Sequence, residues 1–427
     1  MSIFTGKRYA VVGLGKAGLP AAERLRELGA EVFVWDDGEA ARAAADGFTV
    51  QKPSQVKGKL DALVLSPGIP HKLPKPHPEA AWAVKNNVPI VCDAELLYQA
   101  VRGLGGKARF AGITGTNGKS TTTALLAHIL DCAGIPCAAG ANLGPAALSL
   151  PILPDNGVYV LEMSSYMLER MPSLRFDVAA MLNLSPDHLD RHGDTAGYAA
   201  AKQEIFALQD EACTAVIGMD DEPSREMAKF LHTMPMRVVE ISANDIEELH
   251  VATLPGRHNA QNASAATAMA RALGVDWGPI ARGIATYPGL PHRQQEVAFR
   301  NGIRFINDSK ATNADAASRA MGCYERFVWI AGGVAKDGGI EALTPFFARI
   351  EKAYLIGQDG AAFADVLSAA GVTAEYVETL ARAVPLAAQD CTSGIVLFSP
   401  AAASFDQFAN FEARGEAFAA LAQGGQG

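Results

Sequence analysis

Residues 112–120 read Gly-Ile-Thr-Gly-Thr-Asn-Gly-Lys-Ser, between an apolar Phe110-Ala111 and a run that opens Thr121-Thr122-Thr123-Ala124-Leu125. A strand, a glycine turn and a helix start wrap backbone N–H groups around phosphate. Gly115, Thr116, Asn117 and Gly118 let the backbone approach an anion. Lys119 adds a point charge, and Ser120, followed by Thr121, offers a hydroxyl to the Mg²⁺ that accompanies a nucleotide. The generic P-loop pattern asks for glycine at 113, where this chain has Ile flanked by Gly112 and Gly115. A ligand-free glycine turn is the alternative, and the hydroxyl-rich neighbours of Gly-Lys-Ser favour phosphate.

Other residues carry chemistry by type and place. Glu162 ends the apolar run Val158-Tyr159-Val160-Leu161, where a carboxylate beside a phosphate loop suits Mg²⁺ or simply caps the strand. His188 stands in Asp187-His188-Leu189-Asp190, as a metal ligand or a structural hydrogen-bonder, with Asp187 and Asp190 as rival ligands. Lys202, after Ala199-Ala200-Ala201, reads as a helix-surface lysine. Asn259 and Asn262 are spaced to share a helix face and present amides to a ligand, unless Asn259 is an N-cap. His292-Arg293 and the stretch 307–313 (Asn-Asp-Ser-Lys-Ala-Thr-Asn) are densely polar: Arg293 could clamp phosphates, and Asp308 could bind a ribose or orient Lys310.

Three series of elements must position these groups. The first opens with Tyr9-Ala10-Val11-Val12, the turn Gly13-Leu14-Gly15-Lys16-Ala17-Gly18, an Ala/Leu-rich helix and a second strand ending at Asp36. This βαβ unit with Gly-x-Gly-x-x-Gly, and an acid about 20 residues on, is a dinucleotide fingerprint. The same turn cradles any pyrophosphate, so NAD and another nucleotide diphosphate both fit. Ser66-Pro67-Gly68 is a stiff turn after a strand over 60–65, where ligands of open α/β sheets collect. Residues 99–107, with Gly103, Gly105 and Gly106, read as a linker. Strands over 158–162, 178–184, 215–219 and 237–241 alternate with helices over 198–208 and 259–273. Further strands over 304–307, 327–330, 354–356 and 395–398 follow. The expectation is three consecutive α/β domains: 1–97, Rossmann-like; 98–289, P-loop ATPase-like; and 290–427, Rossmann-like.

Composition agrees with packed domains: 49% of the 427 residues are hydrophobic and 19% charged. The net charge of −9 argues against a nucleic-acid surface. Six scattered cysteines without CxxC spacing read as reduced thiols of a cytoplasmic protein. No apolar run spans a membrane, and residues 1–7 lack a signal-peptide core.

Taken together, the motifs resemble the Mur ligase family, the ATP-dependent amide-forming enzymes of peptidoglycan precursor synthesis. Gly112–Ser120 matches the family's ATP loop, and Gly256-Arg257-His258-Asn259 its central signature. Residues 307–313 and 400–408 (Pro-Ala-Ala-Ala-Ser-Phe-Asp-Gln-Phe) are similar to the glutamate-adding branch.

The resemblance implies that ATP phosphorylates the carboxylate of UDP-N-acetylmuramoyl-L-alanine and that D-glutamate attacks the acyl phosphate. L-Glutamate or another amino acid with the same mechanism is the alternative. An NAD-dependent oxidoreductase is a distant one that leaves the ATP loop unexplained. It further implies two Mg²⁺, with Ser120 and Glu162 on one, and His188 and Lys202 at the other. Lys202 is carbamylated by carbon dioxide in the family, which reverses its surface reading. Lys119, His188 and Lys202 are then catalytic. Asn259, Asn262, Arg293 and Asp308 contact ATP. Gly13, Leu14, Gly15, Lys16, Asp36, Ser66, Pro67, Gly68 and Asn142 take the UDP substrate, and Lys310, Thr312, Lys336, Ser404 and Phe411 line the glutamate pocket. The family often has an arginine after the second strand, where this chain has Asp36-Asp37-Gly38. The implied partners are these small molecules alone, with no nucleic acid or membrane, and a monomer.

Overall fold

The computed structural model describes residues 3–246, 251, 253–336 and 338–424. The chain divides into two compact units, Met1–Glu248 with Arg257–Tyr287, and Leu249–Gly256 with Pro288–Gly427. The first unit holds two sheets and the second holds one, all α/β.

The first sheet contains β1 (Arg8–Val12), β2 (Glu31–Trp35), β3 (Thr49–Val50), β4 (Ala62–Leu65) and β5 (Ile90–Val91) in the order β3-β2-β1-β4-β5. All pairs are parallel, the Rossmann order with its switch point at the ends of β1 and β4. Successive residues face opposite ways: Tyr9 and Val11 enter one core cluster, Ala10 and Val12 another. The first cluster continues without a break into the second sheet, because Leu96, Leu97, Ala100 and Val101 of helix Asp93–Gly103 pack in it beside Phe110 and Tyr159. The linker expected over 99–107 is therefore helical to Gly103. Its glycines end that helix instead of separating two bodies.

The second sheet is wholly parallel and comprises β6 (Arg109–Thr114), β7 (Cys137–Ala141), β8 (Val158–Glu162), β9 (Val178–Met181), β10 (Thr214–Gly218) and β11 (Arg237–Ile241). The order is β11-β10-β9-β6-β8-β7, which places β6 between β9 and β8. The loops leaving these three strands are thus neighbours.

In the second unit, β12 (Gln295–Arg300), β13 (Ile303–Asn307), β14 (Phe327–Gly332), β15 (Ile350–Ile356), β16 (Ala374–Glu378) and β17 (Ile395–Phe398) are ordered β12-β13-β17-β14-β15-β16. Only β12 is antiparallel to its neighbour. Alternation again splits the core: Phe327 and Trp329 pack on one face, Val328 and Ile330 on the other. Among the described residues no helix is long and apolar enough to cross a membrane.

Candidate active site

The phosphate loop leaves β6 and enters helix Lys119–Cys132, with Gly118 at its N-terminus in the left-handed region (φ +84°). A side chain there would be strained, and its Cβ would run into the Asn262 amide. That contact brings helix Arg257–Ala272 onto the loop. Asn262 donates to Asn259 Oδ1 at 2.9 Å, so the two amides do share a face, and Asn259 lies inside the helix instead of capping it. Asn183, just past β9, was not singled out from the sequence. Its side chain accepts from Asn117 N at 2.9 Å, and its carbonyl accepts from Thr116 N at 2.8 Å. An asparagine two residues past an apolar strand, at the edge beside a phosphate loop, was the available signal. Ser120 is buried in the first helical turn beside Thr121.

The loop's own carbonyls hold two lysines. Lys119 Nζ donates to Gly115 O at 2.9 Å and Thr116 O at 2.8 Å. Lys202, on helix Thr195–Gln203, donates to the same Gly115 O at 2.8 Å. Its side chain is no surface lysine: 1% of the residue is exposed. Burial drives its amine well below the usual lysine range, and the charge of Lys119 adds to the effect.

Glu162 closes β8 beside this pair and is also buried. Asn142, just past β7, donates to Glu162 Oε1 at 2.5 Å, while Oε2 is buried without a hydrogen-bond partner. An orphan carboxylate oxygen on a residue that interacts electrostatically with Lys202 fits a hard divalent cation. His188 follows β9 with φ +52° and a half-exposed ring. Asp187 accepts from its backbone N–H and lies 3.5 Å from its Nε2. Burial holds the imidazole below its ordinary range. Lys119 and Lys202 both act electrostatically on it, so Lys119, Glu162, His188 and Lys202 form one neighbourhood.

A cavity of about 460 Å³ opens at the β1/β4 switch point. Gly13, Gly15, Lys16, Asp36, Ser66, Pro67 and Gly68 all line it, together with Asp37 and His77. The Leu14 side chain is in the core instead, and its N–H donates to Asp36 Oδ2 at 2.7 Å. Asp36 Oδ1 accepts from Gly38 N, so the carboxylate that was expected to meet a ribose also fastens the turn. Ser66 Oγ donates to Gly13 O at 2.7 Å. A Cβ on Gly13, itself at φ +88°, would strike Ser66 and Ile69. No arginine follows β2, yet Arg42 Nη1 donates to the carbonyls of Asp36 and Asp37 from the next helix.

In the second unit, the loops after β13, β17 and β14 lie side by side. Asp308 is buried and accepts from Ser399 Oγ at 2.7 Å and Gln294 N at 3.2 Å. Burial raises its carboxyl to about 7, with Arg293 among the groups pulling it down. Lys310 Nζ sits 3.8 Å over the Phe411 ring. Thr312 N donates to Lys310 O, and Ser404 is buried. Val334 and Ala403 exchange backbone hydrogen bonds, which ties the loop of exposed Lys336 to that of Ser404. Arg414 joins all this from within, donating to Ser309 O at 2.9 Å, Ser309 Oγ at 3.1 Å and Ala402 O at 3.0 Å. Arg293, Asp308, Lys310, Thr312, Lys336, Ser404 and Phe411 thus gather at one end of one sheet.

Comparison with known proteins places the chain in a family. Residues 113–252 match the Mur ligase middle domain. The UDP-N-acetylmuramoylalanine–D-glutamate ligase of Paramagnetospirillum magneticum is 49% identical, covering 99% of this chain and 97% of its own. The protein of the same name from Caulobacter vibrioides is 44% identical over 99% of this chain and 96% of its own. Among solved structures, UDP-N-acetylmuramate-alanine ligase MurC from Thermotoga maritima shares the fold with a TM-score of 0.62 at 19% identity. It covers 98% of this chain and 99% of its own. With 44% and 49% identity to the named D-glutamate ligases over nearly its full length and a matching middle domain, the chain belongs to the Mur ligase family.

Proposed function

We propose that this chain joins D-glutamate to UDP-N-acetylmuramoyl-L-alanine at the expense of ATP, in peptidoglycan precursor synthesis. The observation that carries the reading is the meeting of Lys119 and Lys202 on the Gly115 carbonyl beside the unpartnered oxygen of Glu162. The relatives named D-glutamate ligases support the choice of amino acid.

In this reading an alanyl carboxylate oxygen attacks the γ-phosphorus of ATP, and ADP leaves. The amine of D-glutamate then attacks the acyl carbon and loses a proton, and the tetrahedral intermediate expels phosphate. With the N–H groups of Thr116 and Asn117 taken up by Asn183, the N-terminus of the helix that starts after Gly118 and the ammonium of Lys119 would hold the transferring phosphoryl group. Ser120, Glu162, His188 and Lys202 would hold two Mg²⁺, which supply positive charge to the phosphoryl oxygens when bound. Burial, which lowers the Lys202 amine well below the usual lysine range, favours the uncharged form that can add carbon dioxide, release one proton and become a carbamate. Gly13, Gly15, Lys16 and Ser66–Gly68 would take the diphosphate of the UDP substrate, with Asn142 holding Glu162. Asn259, Asn262, Arg293 and Asp308 would contact ATP, and Lys310, Thr312, Lys336, Ser404 and Phe411 the glutamate.

One sheet in each segment supports domains 1–97, 98–289 and 290–427. The six free cysteines fit a cytoplasmic protein. The acidic balance fits one that works on small molecules as a monomer without nucleic acid. Phosphate release from ATP, measured against a panel of UDP-muramoyl acceptors and amino acids, tests the reading. Release that requires UDP-N-acetylmuramoyl-L-alanine and D-glutamate together is the expected result, and release with neither, or with other pairs alone, overturns it.

A further inference from the structure

Arg170, in the turn after the short helix Ser165–Leu168 that follows β8, is a buried cation outside the reacting groups. It is 2% exposed, and its acceptors all belong to the first sheet's Leu65–His71 segment. Nη1 donates to Leu65 O at 3.0 Å and Ser66 O at 3.2 Å, and Nη2 to Ile69 O at 2.7 Å. Nε donates to His71 Nδ1 at 3.2 Å. Three carbonyls and one imidazole nitrogen are neutral acceptors, so desolvation of this guanidinium is offset by hydrogen bonds and not by an ion pair. His71 matches it: burial and Arg170 hold the imidazole down to about 4, which leaves Nδ1 an acceptor. Arg191 adds a second tie, donating to Gly68 O at 2.9 Å from the helix that begins just after His188.

The segment so gripped is one wall of the cavity around Gly13. Ser66 and Ile69 touch Gly13, and Ser66 through Pro70 line the cavity. The gripping residue stands eight positions after Glu162 on the same strand-turn segment. We propose that Arg170 is a positioning residue for the UDP substrate: its guanidinium sets the Ser66–Ile69 wall in register with the end of β8, where Glu162 stands. This rests on the substrate reading given above. The alanyl carboxylate must reach the phosphoryl group from an anchor on the other sheet, and Arg170 fixes the offset between the two.

The test is steady-state kinetics with all three substrates, plus calorimetric Kd for UDP-N-acetylmuramoyl-L-alanine, on the wild type and on Arg170→Met, Arg170→Lys and Arg191→Ala. Arg170→Met should raise the acceptor's KM and Kd about tenfold or more, with KM for ATP within about twofold. Arg170→Lys should recover part of the loss, and Arg191→Ala should shift the same constants by a smaller factor. Equal acceptor Kd in folded variants and wild type overturns the proposal, as does an equal loss for all three substrates. If Arg170→Met does not fold, Arg170→Lys decides, since an unchanged acceptor Kd there is equally fatal. A wild type that turns over no UDP-muramoyl acceptor would refute the ligase reading instead.

Discussion

Lys119 and Lys202 donate to a single acceptor, the carbonyl oxygen of Gly115, at 2.9 and 2.8 Å. Two ammonium groups on one oxygen repel each other, and Lys202 is the buried one, so burial and the charge of Lys119 lower its amine well below the usual lysine range. An uncharged amine is the form that combines with carbon dioxide. Lys202→Ala should therefore be inactive and partly rescued by acetate or formate, whose oxygens imitate a carbamate. Rescue by alkylamines instead would show that a cationic lysine is required.

In the proposed reaction, Lys119→Ala removes the charge at the transferring phosphoryl group while leaving the helix it begins. Turnover should fall on the order of 10²–10³-fold with circular dichroism unchanged. Retention of most of the wild-type kcat would contradict its role.

The elements were legible where apolar runs were long and buried. The limits expected for β8, β11 and β17 are those observed. β7 was not foreseen because Cys-Ala-Ala-Gly-Ala has little strand propensity and is held by its neighbour β8. β12 and β16 are sheet edges with largely exposed side chains, so their apolar signal is weak. At the site, the phosphate loop and Glu162 could be read from local pattern. Lys202 could not, since three alanines before it look the same on a surface helix and its burial comes from tertiary packing. Arg170 and Asn183 escaped for the same reason: their partners, most of them backbone atoms, are far away in sequence.

Asp308 ties stability to pH. Its carboxyl is raised from 3.8 to about 7 by burial, so its contribution is fully present below pH 3.8 and is lost as pH rises through 7. Asp308→Asn keeps an acceptor for the Gln294 N–H and a donor for Ser399. The variant should gain thermal stability relative to wild type between pH 5 and 8, by roughly 4 kcal/mol at most, while turnover falls. A wild-type-minus-variant difference that does not change with pH would refute the buried-acid account.

Lys336 stands on the loop tied to Ser404 through the Val334–Ala403 pair. D-Glutamate brings two carboxylates, and a charge-assisted contact is worth about 1.5–3 kcal/mol. Lys336→Ala should lower kcat/KM for D-glutamate roughly tenfold to hundredfold, mostly through KM, and move KM for ATP far less. Lost ATP affinity with an unchanged glutamate KM would assign Lys336 to the nucleotide.

The chemistry itself is tested most directly by isotope transfer. UDP-N-acetylmuramoyl-L-alanine labelled with ¹⁸O in both alanyl carboxylate oxygens is turned over with ATP and D-glutamate, and the released phosphate is analysed by mass spectrometry. An acyl phosphate made at Lys119 and Glu162 predicts one ¹⁸O in each phosphate and one retained in the amide product. Unlabelled phosphate, formed at the rate of amide synthesis, would contradict the account.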